Sequence, residues 1–114
     1  MKINTKKNPY KLWRTKTKLE FLQRRIIVYS LMYYELNENV ISDYDYDQLA
    51  KLYFDLVCSI KENILATTRY WYCMKDFTPA TGFDIPYKLN AADKHYLQGI
   101  AIHVLKIKRS NENE

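Results

Sequence analysis

The sequence predicts a mainly α fold: an antiparallel helical hairpin plus a C-terminal helix, with an irregular or short-strand segment near 66–89. Three observations predict it. Apolar residues recur at alternating spacings of three and four over 17–37 and again over 43–60, the period of one helix face. Only a short polar link, 37–41, separates the two stretches, so the second helix must fold back on the first. A third apolar stripe lies near the C-terminus, beyond a stretch punctuated by Pro79, Gly82 and Pro86.

Each element can be justified in turn. Residues 1–15 are polar and basic and contain Pro9, so they are expected as an N-terminal arm that Leu12 and Trp13 can anchor. A single helical domain is expected over 16–109, with a frayed tail at 110–114. The first helix is expected from about Thr17 to about Asn37. Leu19, Leu22, Ile26, Tyr29, Tyr33 and Leu36 form its inward stripe, with Gln23, Arg24 and Arg25 mostly off it. The second helix starts after Ser42, whose hydroxyl suits the free N–H groups of a first turn. Asp43, Asp45 and Asp47 follow and favour the positive end of the helix dipole. Asp45 stands where a capping box usually has Glu. Tyr46, Leu49, Tyr53, Leu56 and Ile60 face inward. Residues 67–73 are rich in strand formers yet also compatible with a helix. The last helix is expected near Asn90, an N-cap candidate, with Leu97, Ile100, Ala101, Val104 and Leu105 on its apolar side. Gly99 weakens that helix by about 1 kcal/mol relative to Ala, or permits close packing. Lys106, Lys108 and Arg109 suit the negative end of its dipole.

The chain has 114 residues and a formal charge of +5. That is the size of one domain with a real core, and too little for a multidomain enzyme. The charge is unevenly spread. Residues 1–25 hold nine basic residues and one acid, Glu20, a net +8, which leaves −3 for 26–114. The basic end points to nucleic acid, an acidic protein surface or simple solvation. Lys6, Lys7, Lys11, Arg14, Lys16 and Lys18 are its candidate contacts with DNA, RNA or a partner. The longest nearly apolar run, 26–34, is broken only by Ser30 and is too short to cross a membrane. The basic N-terminus has no adjacent apolar run, so no secretory signal is expected and a cytoplasmic location is. Cys58 and Cys73, without a CxxC or a Cys/His cluster, could form one disulfide but are expected as buried free thiols. Neither GxGxxG nor GxxxxGK[ST] occurs, which removes phosphate-cradling loops of those types.

The most informative stretch is 33–49. It holds five carboxylates, Glu35, Glu38, Asp43, Asp45 and Asp47, and no basic residue, beside four tyrosines. On the second helix Asp43, Tyr46 and Asp47 share one face. Tyr33 and Tyr34 end the first helix, so the hairpin can bring both groups into an aromatic, anionic notch. Tyrosine faces attract a flat cation, and carboxylates bond its hydroxyls. An ordinary acidic helix start with core tyrosines explains the same residues without any ligand.

Tyr33-Tyr34, Ile41-Ser42-Asp43, Asp45-Tyr46-Asp47 and Leu49 resemble, in order and spacing, the N-terminal Ia domain of bacterial NAD-dependent DNA ligases. The resemblance covers about residues 19–60. Asn39 replaces the family's Pro and Asp45 its usual Glu. It implies that Tyr33, Tyr34, Asp43, Tyr46 and Asp47 hold the nicotinamide mononucleotide half of NAD. It does not imply a ligase: no KxDG lysine is present to take AMP, and no other ligase domain follows. The stretch 76–85, Asp-Phe-Thr-Pro-Ala-Thr-Gly-Phe-Asp-Ile, is similar to a motif of small phage-type ligase-related proteins. That implies a stand-alone, phage-encoded protein working in a bacterial host.

Other candidates are weaker. His95 and His103 are two turns apart and cannot share a metal as i, i+4 ligands. Ser59 and Cys58 have no nearby base, so no nucleophile is indicated. The acids of 43–47 lack the loop geometry of a calcium site. Arg69, Tyr70 and Trp71 mix stacking rings with positive charge, as single-strand binders do, though burial in a core or interface explains them too. The expectation is a non-catalytic interaction protein acting on a host nucleic-acid enzyme, as an inhibitor or anti-defence factor against, for example, a CRISPR effector or nuclease. Binding of NAD or nicotinamide mononucleotide as a ligase accessory is the alternative, and nucleic-acid binding through the arm a further one. No cofactor is required by the first reading.

Overall fold

The structure, a computed structural model, describes residues 9–38 and 40–112, and every residue in them that is structured is helical or in a turn. The elements are α1 (Pro9–Tyr34), α2 (Asp43–Cys58), α3 (Glu62–Leu65), α4 (Trp71–Met74), a 3₁₀ turn (Gly82–Asp84), α5 (Ile85–Lys88) and α6 (Ala91–Glu112). The mainly α expectation holds. Lys6 and Lys7 lie outside the described residues, as do Asn39 and the side chains of Lys11, Leu12, Trp13 and Arg14.

Helix α1 begins eight residues earlier than expected. Proline fixes φ near a helical value and lacks only an N–H that a first turn leaves free, so Pro9 starts a helix rather than an arm. Leu, Lys and Arg, strong helix formers, then carry it forward. It ends at Tyr34, three residues before the expected limit. The Glu35 and Leu36 N–H groups both turn back to the Leu31 carbonyl, at 2.9 and 3.1 Å. Asn37 then takes a left-handed φ of 53°, which Asn tolerates better than most side chains, and the Glu38 N–H caps the Met32 carbonyl at 2.8 Å.

Ser42 caps α2 as its sequence suggests: its hydroxyl accepts from the Asp45 N–H at 3.1 Å. Two side-chain hydrogen bonds fix how α2 meets α1. Ser30 and Tyr46 share one of 3.0 Å, and Gln23 donates to the Tyr53 hydroxyl at 3.0 Å. Seven residues back along α1 correspond to seven forward along α2, so the hairpin is antiparallel and in fixed register.

Helix α1 is the central element and packs on α2, α5, α6 and the 3₁₀ turn. One inward stripe is therefore insufficient. Leu19, Leu22 and Ile26 are buried as expected, but so are Ile27, Leu31 and Met32 on an adjoining face, whereas Tyr33 is half exposed. Gln23, expected off the stripe, is fully buried. It is tolerated because its polar atoms are partnered. The amide also donates to the Thr68 hydroxyl at 2.9 Å and accepts from the Tyr70 N–H at 3.4 Å.

Among the described residues, 66–89 contains no strand. The threonines that suggested one close a helix instead. Thr67 and Thr68 donate to the carbonyls of Ile64 and Leu65, each at 2.6 Å, and so end α3. Thr78 and Thr81 tie the next loop to itself: the Thr78 N–H donates to the Thr81 hydroxyl at 2.8 Å and the Thr81 N–H to the Thr78 carbonyl at 3.0 Å. Asn90 caps α6, its side-chain oxygen accepting from the Asp93 N–H at 2.7 Å. Leu97, Ala101 and Leu105 form the buried row of α6, and the tail expected to fray continues as helix to Glu112. Cys73 is buried, but Cys58, on the last turn of α2, is exposed, so only one thiol belongs to the core. No helix of the described residues is long and apolar enough to cross a membrane.

Candidate functional site: a tyrosine-walled acidic cleft

The link between α1 and α2 opens a cavity of about 360 Å³, within the range of about 300–1,000 Å³ usual for small-ligand sites. Tyr33, Tyr34, Asp43, Tyr46 and Asp47 all line it. Two structural devices gather them. The sharp end of α1 places Tyr33 and Tyr34 at the rim, their rings edge to face at 4.8 Å. The Ser42 cap starts α2 so that Asp43, Tyr46 and Asp47 fall on the turn facing those rings.

Seven further residues complete the walls: Tyr29, Ser30, Met32, Glu38, Val40, Ile41 and Pro79. The sequence had already marked Tyr29 on the inward stripe, Glu38 in the acidic stretch and Ile41 in the ligase-like match, and it held a further signal at Ser30. Ser30 is the sole polar residue of an otherwise apolar run, and a lone hydroxyl there implies a buried partner. That partner is Tyr46. Pro79 had no such signal, because only the folded loop brings it to the hairpin.

The loop also fixes Tyr46. A Cβ on Gly82 would sit 2.5 Å from the Tyr46 hydroxyl oxygen, closer than a Cβ approaches a non-bonded heavy atom. With the Tyr46 hydroxyl where it is, only glycine lets the loop seat on α2 without a shift. The two sequence stretches that carried the resemblances, 33–49 and 76–85, meet at this contact.

The electrostatics are one-sided. No Lys, Arg or His is among the lining residues. Glu38 is bonded to Arg109 at 2.6 Å, and neighbouring Glu35 pairs with Lys94 at 3.0 Å. Asp43, Asp45 and Asp47 have no ion partner among the described residues. Among the described residues, the five-acid patch thus reduces to three carboxylates without an ion partner, two of which line the cleft. Burial raises the Tyr34 phenol pKa, with Tyr33 and Asp43 adding to it. Burial raises that of Tyr46 too, against the lowering effect of its Ser30 bond, and Tyr34 and Asp47 push the same way. Both phenols stay neutral at pH 7. Ring faces and free carboxylates together suit a flat cation bearing hydroxyls. Among the described residues no group of three His, Cys, Asp or Glu is placed to hold a metal ion.

Of the other residues singled out by sequence, those that the structure describes do not join this cleft. Lys16 and Lys18 lie early in α1. Tyr70 is 3% exposed, so it belongs to the core and cannot stack a base. Trp71 packs against that core, partly buried. Arg69 lies over the Tyr70 and Tyr96 rings, at 5.4 and 5.9 Å, and pairs with Asp93 at 3.3 Å. Asp93 also accepts from the Tyr72 hydroxyl at 2.6 Å and from the Asn90 amide at 3.3 Å. The cluster is a clasp between 69–72 and the start of α6. The Tyr72 bond, then Arg69, hold the Asp93 carboxyl below the usual range.

A pH signature follows. A depressed folded pKa stabilises the native state above the unfolded value of about 3.9 and ceases to as pH falls through the folded value. Asp93→Asn should therefore lower the melting temperature at pH 7. Its deficit against the native chain should shrink on acidification below about pH 4. A deficit independent of pH would show that the carboxylate charge is irrelevant.

Compared with known proteins, the chain matches no family model, no curated protein and no solved structure.

Proposed function

We propose that this chain is a non-catalytic binding protein whose cleft holds the nicotinamide mononucleotide half of NAD. One observation carries the reading: the five residues that the ligase resemblance marks for that ligand line a single cavity, although they come from two helices. The tyrosine faces would hold the pyridinium ring, and Asp43 and Asp47 its charge and ribose hydroxyls. The non-catalytic part rests on the missing KxDG lysine. Affinity should be modest, since a half-open cleft engages few atoms. Calorimetry tests this. Heat of binding is expected at sub-millimolar to millimolar mononucleotide. Asp47→Ala should weaken it by roughly tenfold or more, the worth of one charge-assisted hydrogen bond of about 1.5–3 kcal/mol. No heat at millimolar ligand, or binding indifferent to Asp47→Ala, would sink the proposal.

A second reading, a phage-encoded protein that engages a host nucleic-acid enzyme, is favoured by surface aromatics. Tyr44 is 70% and Tyr87 85% exposed, and Tyr44 stands among the free carboxylates Asp43, Asp45 and Asp47. Aromatic side chains in such settings anchor protein interfaces. Affinity capture from a bacterial lysate at low salt should enrich a nucleic-acid enzyme that Tyr44→Ser and Tyr87→Ser release. Identical capture by variant and native chains would remove this reading.

A further inference from the structure

The ligand implied by the resemblance carries a phosphate, and the cleft fits the ring and ribose but not that group. Phosphate sites are built from Arg, Lys, or the N–H groups of a helix N-terminus. Among the described residues, no Lys or Arg lines this cavity. The guanidinium bonded to one of its walls, Arg109, is committed to Glu38. The Lys94 ammonium, which α6 brings to the end of α1, is paired with Glu35. At the first turn of α2 the Ser42 hydroxyl takes the Asp45 N–H, and Asp43 and Asp45 put negative charge where a phosphate would sit. A phosphate entering there meets Asp43 and Asp47, two carboxylates without ion partners among the described residues, and like charges at short range repel. The ring, by contrast, meets Tyr33, Tyr34 and Tyr46, and burial raises the pKa of the Tyr34 and Tyr46 phenols further above neutrality.

We infer that the cleft selects a flat cationic nucleoside without phosphate, a pyridinium riboside, over the corresponding nucleotide. The inference rests on the nicotinamide reading and sharpens its ligand class. The pyridinium charge and the ribose diol supply the attraction. The phosphate monoester subtracts from it, so the riboside outranks the mononucleotide. Neutral nicotinamide, with neither charge nor diol, binds least.

The test is a calorimetric series on the full chain with nicotinamide riboside, nicotinamide mononucleotide and nicotinamide, each at low and at high salt. The riboside is expected to bind at least tenfold more tightly than the mononucleotide at low salt, with the gap narrowing at high salt as the charges are screened. In the double variant Asp43→Asn, Asp47→Asn, the gap should close. Both positions are exposed, so the variant should fold, which a thermal melt checks. A mononucleotide that binds as tightly as the riboside, or more so, overturns the inference and leaves the nicotinamide reading standing. A gap that survives in the double variant overturns the electrostatic account. Failure of both ligands to bind overturns the inference together with the reading beneath it.

Discussion

Gln23→Ala should cost about 3–4 kcal/mol of stability, a large share of the roughly 5–15 kcal/mol that holds a typical domain together. Two effects add. Truncation leaves a cavity at a fully buried position in the middle of α1. It also strips partners from the Tyr53 hydroxyl, the Thr68 hydroxyl and the Tyr70 N–H, and a buried polar group left unpaired costs about 1–3 kcal/mol. Gln23→Leu isolates the second effect, since volume is nearly kept; about 1–3 kcal/mol is expected from it. Urea unfolding of the two variants measures both. A midpoint unchanged in Gln23→Leu would mean that the network contributes nothing net. The alkaline limb offers a separate check. Burial pushes the Tyr53 phenol up to about 12. A raised folded pKa stabilises fully below the unfolded value of about 10 and is lost as pH rises through the folded one. The native chain should therefore lose stability between those two values, and Tyr53→Phe should lose less.

Gly82→Ala should cost about 1–3 kcal/mol and disable the cleft as well. The new methyl would stand 2.5 Å from the Tyr46 hydroxyl oxygen. Either Tyr46 abandons Ser30 and swings toward the cavity, or the loop carrying Pro79 lifts off. Each outcome rearranges a wall. The remedy follows from the same distances: with the hydroxyl removed, the next Tyr46 atom is a ring carbon at 3.5 Å, an ordinary contact. Tyr46→Phe should accordingly rescue Gly82→Ala, and the double variant should be more stable than the sum of the single losses implies. Strict additivity in a double-mutant cycle would place the strain elsewhere than at Tyr46.

Much of this architecture was legible from residue order alone. The hairpin followed from two stripes of matching period and a short polar link. Its second helix start was fixed by Ser42, because capping is chemistry between residues three apart. Asn90 marked α6 for the same reason. The acidic, tyrosine-rich composition of 33–49 and the spacing of Asp43, Tyr46 and Asp47 on one helical face placed those side chains together. These features are local, and local hydrogen bonds and side-chain spacing are written in sequence.

What the sequence could not determine was partnership at a distance. Gln23 looked like a surface residue until Tyr53, Thr68 and Tyr70, each at least 30 positions away, arrived to bond it. Glu35 and Glu38 counted as free acid until α6 delivered Lys94 and Arg109. Tyr70 was readable either as a stacking ring or as a core residue, and packing decided for the core. The loop at 76–85 became a cleft wall only because Gly82 lets it seat on Tyr46. Burial and pairing are properties of the assembled surfaces, whose contacts join residues that spacing cannot relate. Tertiary structure therefore decided which charges remain for a ligand, and left two free carboxylates and a set of tyrosine rings in one cavity.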